Sequence, residues 1–147
     1  MARRTLLTPA EREALLALPT DRAELARHYT PTEAELAVIG RRRQARNRLG
    51  FALQLCALRY PGRLLHPGEA LPGTLIAFVA EQIGVAPDAL GGYAFRANTR
   101  YEHSAALQDA FGYRPLEGHP RREIEAWLER AALTARTGGE LAAGLRD

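Results

Sequence analysis

A chain of 147 residues with one cysteine and a net charge of +3 is long enough to bury roughly 68–70% of the surface it exposes unfolded. It needs no staples, and an intramolecular disulfide is excluded. No apolar run approaches the ~20 residues of a membrane helix, and the basic start Met1-Ala2-Arg3-Arg4 meets Glu11 and Arg12 before any signal-like apolar region, so a soluble, cytoplasmic protein is expected. All 20 basic residues are arginine, the planar, permanently charged side chain suited to phosphate and guanine. A coding bias toward Arg, Ala, Gly and Pro explains that count equally well, so the information lies in the clustering.

In chain order, Thr8-Pro9-Ala10-Glu11 is a capping box with proline at the first helical position. It predicts a helix from about Pro9 to Leu18, with Leu15, Leu16 and Leu18 facing the core. Asp21-Arg22-Ala23-Glu24 starts a short second helix ending near His28, and Thr30-Pro31-Thr32-Glu33 starts a third. Leu25 and Tyr29 against Leu36 and Ile39 would make this pair a helix-turn-helix, a pattern shared by many helical bundles.

The stretch Arg41 to Tyr60 joins two properties. Arg41-Arg42-Arg43-Gln44-Ala45-Arg46-Asn47-Arg48 carries five arginines and no acid. Leu49 to Tyr60 is helix-forming and apolar nearly all the way round, the pattern of a helix buried on several sides. Asn47 is read as its cap, Pro61-Gly62 as its end, and Cys56 as a small buried thiol. Two readings of the arginines stand side by side. They complement the macrodipole at the end of the third helix, or they form a ridge that grips a phosphate backbone, which Arg46 and Arg48 extend.

Pro61-Gly62, Pro67-Gly68 and Pro72-Gly73 mark an ordered connector or hinge. They suggest two helical units, 1–66 and 67–147, packed as one domain. A helix from about Thr74 to Ile83 should bury Leu75, Ile76, Phe78, Val79 and Ile83 and end on Gly84. Pro87-Asp88-Ala89-Leu90 opens a short helix closed by Gly91-Gly92, and Thr99-Arg100-Tyr101-Glu102 caps a longer one that stops at Gly112. Leu107 and Phe111 would face inward, with Asn98, Thr99, Arg100, Tyr101 and His103 around an exposed leading turn. In a helix-turn-helix that turn meets base edges, where Arg and Asn read guanine and adenine; a plain capped helix with solvated residues remains the alternative. A helix from about Arg121 to Ala135 has the stripe Ile124, Trp127, Leu128 and Ala131, which makes Trp127 a core residue. Arg121 and Arg122 oppose its macrodipole, a conflict that a phosphate partner would relieve. Thr137-Gly138-Gly139-Glu140 caps a last short helix. With no strand-period run, the class is all-α, a bundle of about seven to nine helices with two helix-turn-helix-like units.

There is no phosphate loop, nucleotide fingerprint or nucleophile elbow. His28, His66, His103 and His119 are scattered, and the carboxylates are explained by helix starts. No enzyme, metal site or cofactor is predicted.

Several stretches carry a resemblance. Arg3-Arg4-Thr5-Leu6-Leu7-Thr8, Leu25-Ala26-Arg27-His28-Tyr29, Asn47-Arg48-Leu49-Gly50-Phe51-Ala52-Leu53-Gln54-Leu55-Cys56, Leu58-Arg59-Tyr60-Pro61-Gly62-Arg63 and Asn98-Thr99-Arg100 with Glu102-His103 occur in the order in which similar segments occur in the amino-terminal domain of the Tn-three-type replicative transposases. The similarity covers the chain to about Pro115 and is looser beyond. It implies a helical domain that helps bind the terminal inverted repeats of a transposon, with the acidic, metal-binding catalytic triad in a distant carboxy-terminal part. It assigns Arg48, Asn98, Thr99, Arg100 and His103 to DNA. Gly40, before the arginine run, and Tyr101, where a more basic residue is expected, depart from the pattern. The chain is accordingly expected to be a truncated transposase, a fragment or a remnant, unable to transpose alone.

Together these readings predict sequence-specific binding of double-stranded DNA. The candidate contacts are Arg41, Arg42, Arg43, Arg46, Arg48, Arg96, Asn98, Thr99, Arg100, Tyr101, His103, Arg121 and Arg122. The remainder of a transposase, or a full-length one, is a candidate partner. The rivals are a dimeric helix-turn-helix regulator and a protein-interaction module whose arginines are only a solvated face.

Overall fold

The computed structural model describes residues 7–66, 68–92 and 97–145, with side chains described outside 92–101. Eight α-helices and one 3-10 helix account for its regular structure, and no strand occurs among the described residues. The fold is all-α. The helices are α1 Pro9–Leu16, α2 Arg22–His28, α3 Glu33–Gly40, α4 Ala45–Arg59, α5 Gly73–Ile83, α6 Ala97–Phe111, α7 Gly118–Ala132 and α8 Gly138–Gly144, with the 3-10 helix at Pro87–Gly92 between α5 and α6.

The helix starts follow local chemistry. Thr8 and Glu11 complete a reciprocal capping box on α1, and Thr32 and Glu35 do the same on α3. The Asp21 carboxylate accepts from Ala23 and Glu24. At the other ends, Gly84 closes α5 in the left-handed region at φ 68°, and Gly112 follows α6 at φ 70°, where a side chain would be strained.

The chain forms two compact units, Leu18–Gly112 and a second made of Met1–Ala17 with Tyr113–Asp147. In the first unit α4 is the centre. It contacts α3, α5, α6 and the 3-10 helix, and its nine consecutive residues Leu49–Ala57 are all buried, as an all-round apolar helix requires. Leu25, Tyr29, Ile39, Leu65, Leu75, Val79 and Leu107 complete this core. The Cys56 thiol is buried within it, and desolvation pushes it up to about 12; the Tyr29 phenol is raised for the same reason.

The polar groups of this core are matched. The buried Gln54 amide accepts from the Leu65 N–H at 2.9 Å and donates to the Leu65 carbonyl at 3.5 Å, while the N–H groups of Gly62 and Arg63 both donate to the Ala57 carbonyl. The connector after α4 is therefore ordered through residue 66, and α4 and α5 on either side of it pack together. The Tyr29 hydroxyl donates to the Tyr60 carbonyl at 2.6 Å, and the Tyr60–Pro61 peptide is cis.

Some expected core positions lie elsewhere. Leu36 is 38% exposed, because the inner face of α3 is set by Glu35 and Ile39, one turn apart. Leu16 is exposed, Leu15 and Leu18 are half-buried, and Ile76, Phe78, Ile83 and Phe111 are half-buried. Three helix starts also shift: α4, α6 and α7 each begin two or three residues before the predicted start.

The second unit has a different texture. None of α1, α7 and α8 buries a residue fully. Trp127, expected in a core, is half-buried with α8 laid on its indole, so that a Cβ added at Gly144 would come within 3.2 Å of the Trp127 ring. Leu133 is 86% exposed.

Candidate nucleic-acid interface

The arginine run occupies the turn between α3 and α4. Arg41 is the C-cap residue of α3, and the N–H groups of Arg41 and Arg42 donate to carbonyls of its last turn, where cations are favoured. The same run then leads into the positive end of α4. Gln44, and not Asn47, is the N-cap, and no side chain caps this helix. Ala45 and Arg46 are good helix formers and carry the helix back past Asn47, which places Arg46 and Arg48 in the first turn with no acid beside them. A helix start with no side-chain cap and flanking arginines is an anion-binding arrangement.

The five arginines are not equivalent. Arg41, Arg43 and Arg46 are exposed, and the Arg46 Nε–H donates to the Gln44 side-chain oxygen at 2.7 Å. Arg42 and Arg48 are half-buried, each with a covered Nε that meets no hydrogen-bond acceptor among the described residues. The Arg42 guanidinium carbon sits 4.5 Å from the centre of the Phe51 ring, a cation–π contact. None of the five has a carboxylate partner among the described residues.

Phe51 links this turn to α6. His103 meets the Phe51 ring edge to face, with centroids 5.3 Å apart and planes at 85°. His103 was expected at the exposed leading turn; it is instead 4% exposed. Desolvation first, and the charge of Arg42 second, push its pKa down to about 4, so at neutral pH it is an uncharged ring. α6 is already helical at Ala97, so Thr99 lies inside the helix and not at its cap. Arg96 lies outside the described residues, as do the side chains of Asn98, Thr99, Arg100 and Tyr101. In the other unit, the Arg121 Nε–H donates to Glu125 at 2.9 Å, which explains that arginine within its own helix, while Arg122 is exposed.

The structure adds two arginines that the sequence reading did not single out. Arg59, in the last turn of α4, donates to both Glu35 oxygens at 2.8 and 2.9 Å and to the His28 carbonyl at 2.9 and 2.7 Å. It satisfies the end of α2 and the start of α3 at once. Arg63 forms a two-pronged pair with Glu69, whose carboxyl is lowered chiefly by that hydrogen bonding. A signal was present: Glu35 and Glu69 bracket a stretch, 36–68, with seven arginines and no acid, and they take the two arginines that follow the apolar run.

Other features carry less chemistry. A cleft of about 310 Å³ between α2 and α5 is lined by Thr20, Arg22, Leu25, Thr74, Phe78 and Glu81. No group of three or more His, Cys, Asp or Glu residues placed to hold a metal occurs among the described residues, and none of the described helices is long and apolar enough to cross a membrane.

Comparison with known proteins supplies a context for this surface. The chain is 43% identical over 145 residues to the transposase for transposon Tn3926 of Escherichia coli, covering 99% of this chain and 15% of that protein. It is 44% identical over 135 residues to the transposase for transposon Tn21 of Escherichia coli, covering 91% and 14%. It is 44% identical over 108 residues to the transposase for transposon Tn501 of Pseudomonas aeruginosa, covering 74% and 11%. The chain thus spans about one-seventh of the length of the first two relatives. Residues 6–147 match the family described as "Domain of unknown function (DUF4158)", and the chain, which resembles the amino-terminal region of these transposases, belongs to that family.

Proposed function

We propose that this chain binds double-stranded DNA and recognises the terminal inverted repeats of a transposon, as the end-binding part of a transposase. The observation that carries this reading is the convergence of two segments some fifty residues apart. Five arginines with no carboxylate partner among the described residues surround the start of α4, which has no side-chain cap, and Phe51 and His103 bring that turn against α6. The similarity to transposases over nearly the whole chain supports DNA as the polyanion. Arg41, Arg42, Arg43, Arg46 and Arg48 hold phosphates, and Asn98, Thr99 and Arg100, with Tyr101 and Arg96 beside them, read bases in a major groove. His103, being buried, supports this surface from beneath. Arg122, in the other unit, is a further candidate phosphate contact, as is Arg121 where Glu125 releases it. The rest of a transposase is the partner, and strand cleavage and joining belong to that part.

The test is fluorescence anisotropy of the chain on a duplex carrying a terminal inverted repeat from its genomic neighbourhood, against a scrambled duplex. With about five phosphates engaged, log affinity should fall with log salt at a slope of roughly −4 to −5. Arg100→Ala should reduce the preference for the repeat by ~1–3 kcal/mol. A flat salt dependence, or no binding to either duplex, overturns the proposal; equal binding to both overturns end recognition and leaves only backbone contact.

A further inference from the structure

Of the five arginines of this turn, Arg42 has its guanidinium seated on an aromatic ring, the one such placement among the described residues, and this distinction carries an inference that rests on the DNA-binding reading. A free arginine that grips a phosphate must give up rotamer freedom to do so. Arg41 and Arg43 are exposed and face that loss in full, while Arg46, also exposed, is tied to the neighbouring Gln44 side chain. Arg42 is already held. Its guanidinium lies over Phe51, its Nε is covered and meets no acceptor among the described residues, and Phe51 is fully buried and packed at right angles against His103.

The ring under Arg42 belongs to the helix whose start carries no side-chain cap. The platform is therefore fixed to the element whose positive end offers backbone N–H groups to an anion. Phe51 and His103 are core residues of α4 and α6, so the position of the Arg42 guanidinium is set by packing.

We propose that Arg42 is the preordered phosphate clamp of this surface and that Phe51, backed by His103, is the positioning residue that holds its guanidinium. Phe51 touches no ligand and acts only through Arg42. The pair should be energetically coupled in DNA binding, whereas Phe51 and the exposed Arg43 should not.

A double-mutant cycle tests this, using Arg42→Ala, Phe51→Leu and their combination, with Arg43→Ala and Phe51→Leu as the control cycle. Leucine keeps an apolar side chain in the core and removes the ring face. Affinity for the repeat duplex is read well below each variant's melting midpoint, with circular dichroism confirming the fold. Arg42→Ala is expected to weaken binding more than Arg43→Ala does. Phe51→Leu is expected to weaken binding about fivefold in the wild-type background, and to have no effect once Arg42 is alanine. In the Arg43→Ala background the fivefold effect should persist.

Should Phe51→Leu not fold, Phe51→Met in the same cycle gives the same readout with another ring-free side chain. Equal effects of the Phe51 change with and without Arg42 overturn the inference and leave Phe51 a structural residue. So does an Arg42→Ala effect no larger than that of Arg43→Ala. These outcomes require a wild-type chain that binds duplex. A wild type that binds none overturns the DNA-binding reading itself, and the clamp falls with it.

Discussion

At its last turn, α4 uses arginine as mortar. Arg59 donates to Glu35 and to the His28 carbonyl, and just beyond, Arg63 is locked to Glu69. At its other end, the turn that leads into this helix and the helix's first turn together carry five arginines and no carboxylate. One residue type, within one acid-free stretch of sequence, serves the interior at one end and is left available at the other. The difference teaches that arginine content says little by itself. What separates a structural cation from a binding one is whether the fold brings an acid or an orphan carbonyl to it, and here Glu35, 24 residues away in sequence, decides the case for Arg59.

The largest expected effect breaks the structural end. In Arg59→Ala, Glu35 keeps its buried position but loses its counter-charge, and the His28 carbonyl loses its donor. Removing one partner of a buried pair is far costlier than the pair's net worth. Since Arg59 is 28% exposed and Glu35 11%, water offsets part of this, and a loss of ~3 kcal/mol is expected, near the low end for buried pairs. Thermal melting checks it. A midpoint within 2 °C of wild type would place Arg59 with the solvated arginines and erase the contrast between the two ends.

The next effect comes from His103, beneath the other end. Its folded pKa of about 4 lies below the ordinary 6.5, so the fold holds the neutral ring. The unfolded chain takes up a proton as pH drops through about 6.5, and the folded chain does so only near 4. Stability from this group is thus complete above pH 6.5 and is lost as pH falls from 6.5 toward 4, by up to about 3 kcal/mol. The check is the difference in unfolding free energy between wild type and His103→Gln from pH 7.5 to 4.5. Parallel curves would mean that His103 is as solvated as the sequence reading placed it.

Much of the fold was legible because the signals are local. The capping box at Thr8 and Glu11, the cap at Asp21, the stops at Gly84 and Gly112 and the all-round apolar run of α4 are written within a few residues of where they act. Two of the three misplaced starts share a cause. In Ala45-Arg46-Asn47 and in Ala97-Asn98-Thr99 a polar residue was read as the cap, yet the helix begins at the alanine before it. Helix propensity outweighed a capping preference that neither position needed. The acid-free stretch between Glu35 and Glu69 signals that its arginines must find acids outside it, but not that Glu35 takes Arg59, and the stacking of Arg42, Phe51 and His103 left no signal. These contacts join α4 to α3 and α6, and no local pattern specifies which side chains meet across a core. The candidate contacts at Asn98–Arg100 rest on residue type and resemblance, while the arginine turn rests also on geometry.

A smaller change sharpens the other side of the comparison. If Arg41 and Arg43 serve only a partner, alanine at either should leave unfolding within about 0.5 kcal/mol of wild type. Each should still lower the salt slope of duplex binding by about 1. A variant that loses several degrees of thermal midpoint would show that the turn is held by its arginines, as the far end of α4 is held by Arg59.

The smallest expected effect lies at Gly40, the last residue of α3 and the entry to the arginine turn. Its φ is not positive, and a Cβ added there meets nothing within 4 Å, so no geometric reason requires glycine. Gly40→Ala should therefore stabilise the fold by ~0.4–1 kcal/mol, by restricting the unfolded chain and favouring the helical conformation. Equilibrium denaturation measures this directly, and the same variant separates two views of the turn. If the exposed arginines adapt to DNA through a loose helix end, stiffening Gly40 weakens duplex binding while the fold gains stability. If Arg42 is already held by Phe51, the clamp does not depend on slack at Gly40, and affinity stays at the wild-type value. The packed ring beneath Arg42 favours the second outcome, because the core of α4 and α6, and not the last residue of α3, fixes where that guanidinium lies.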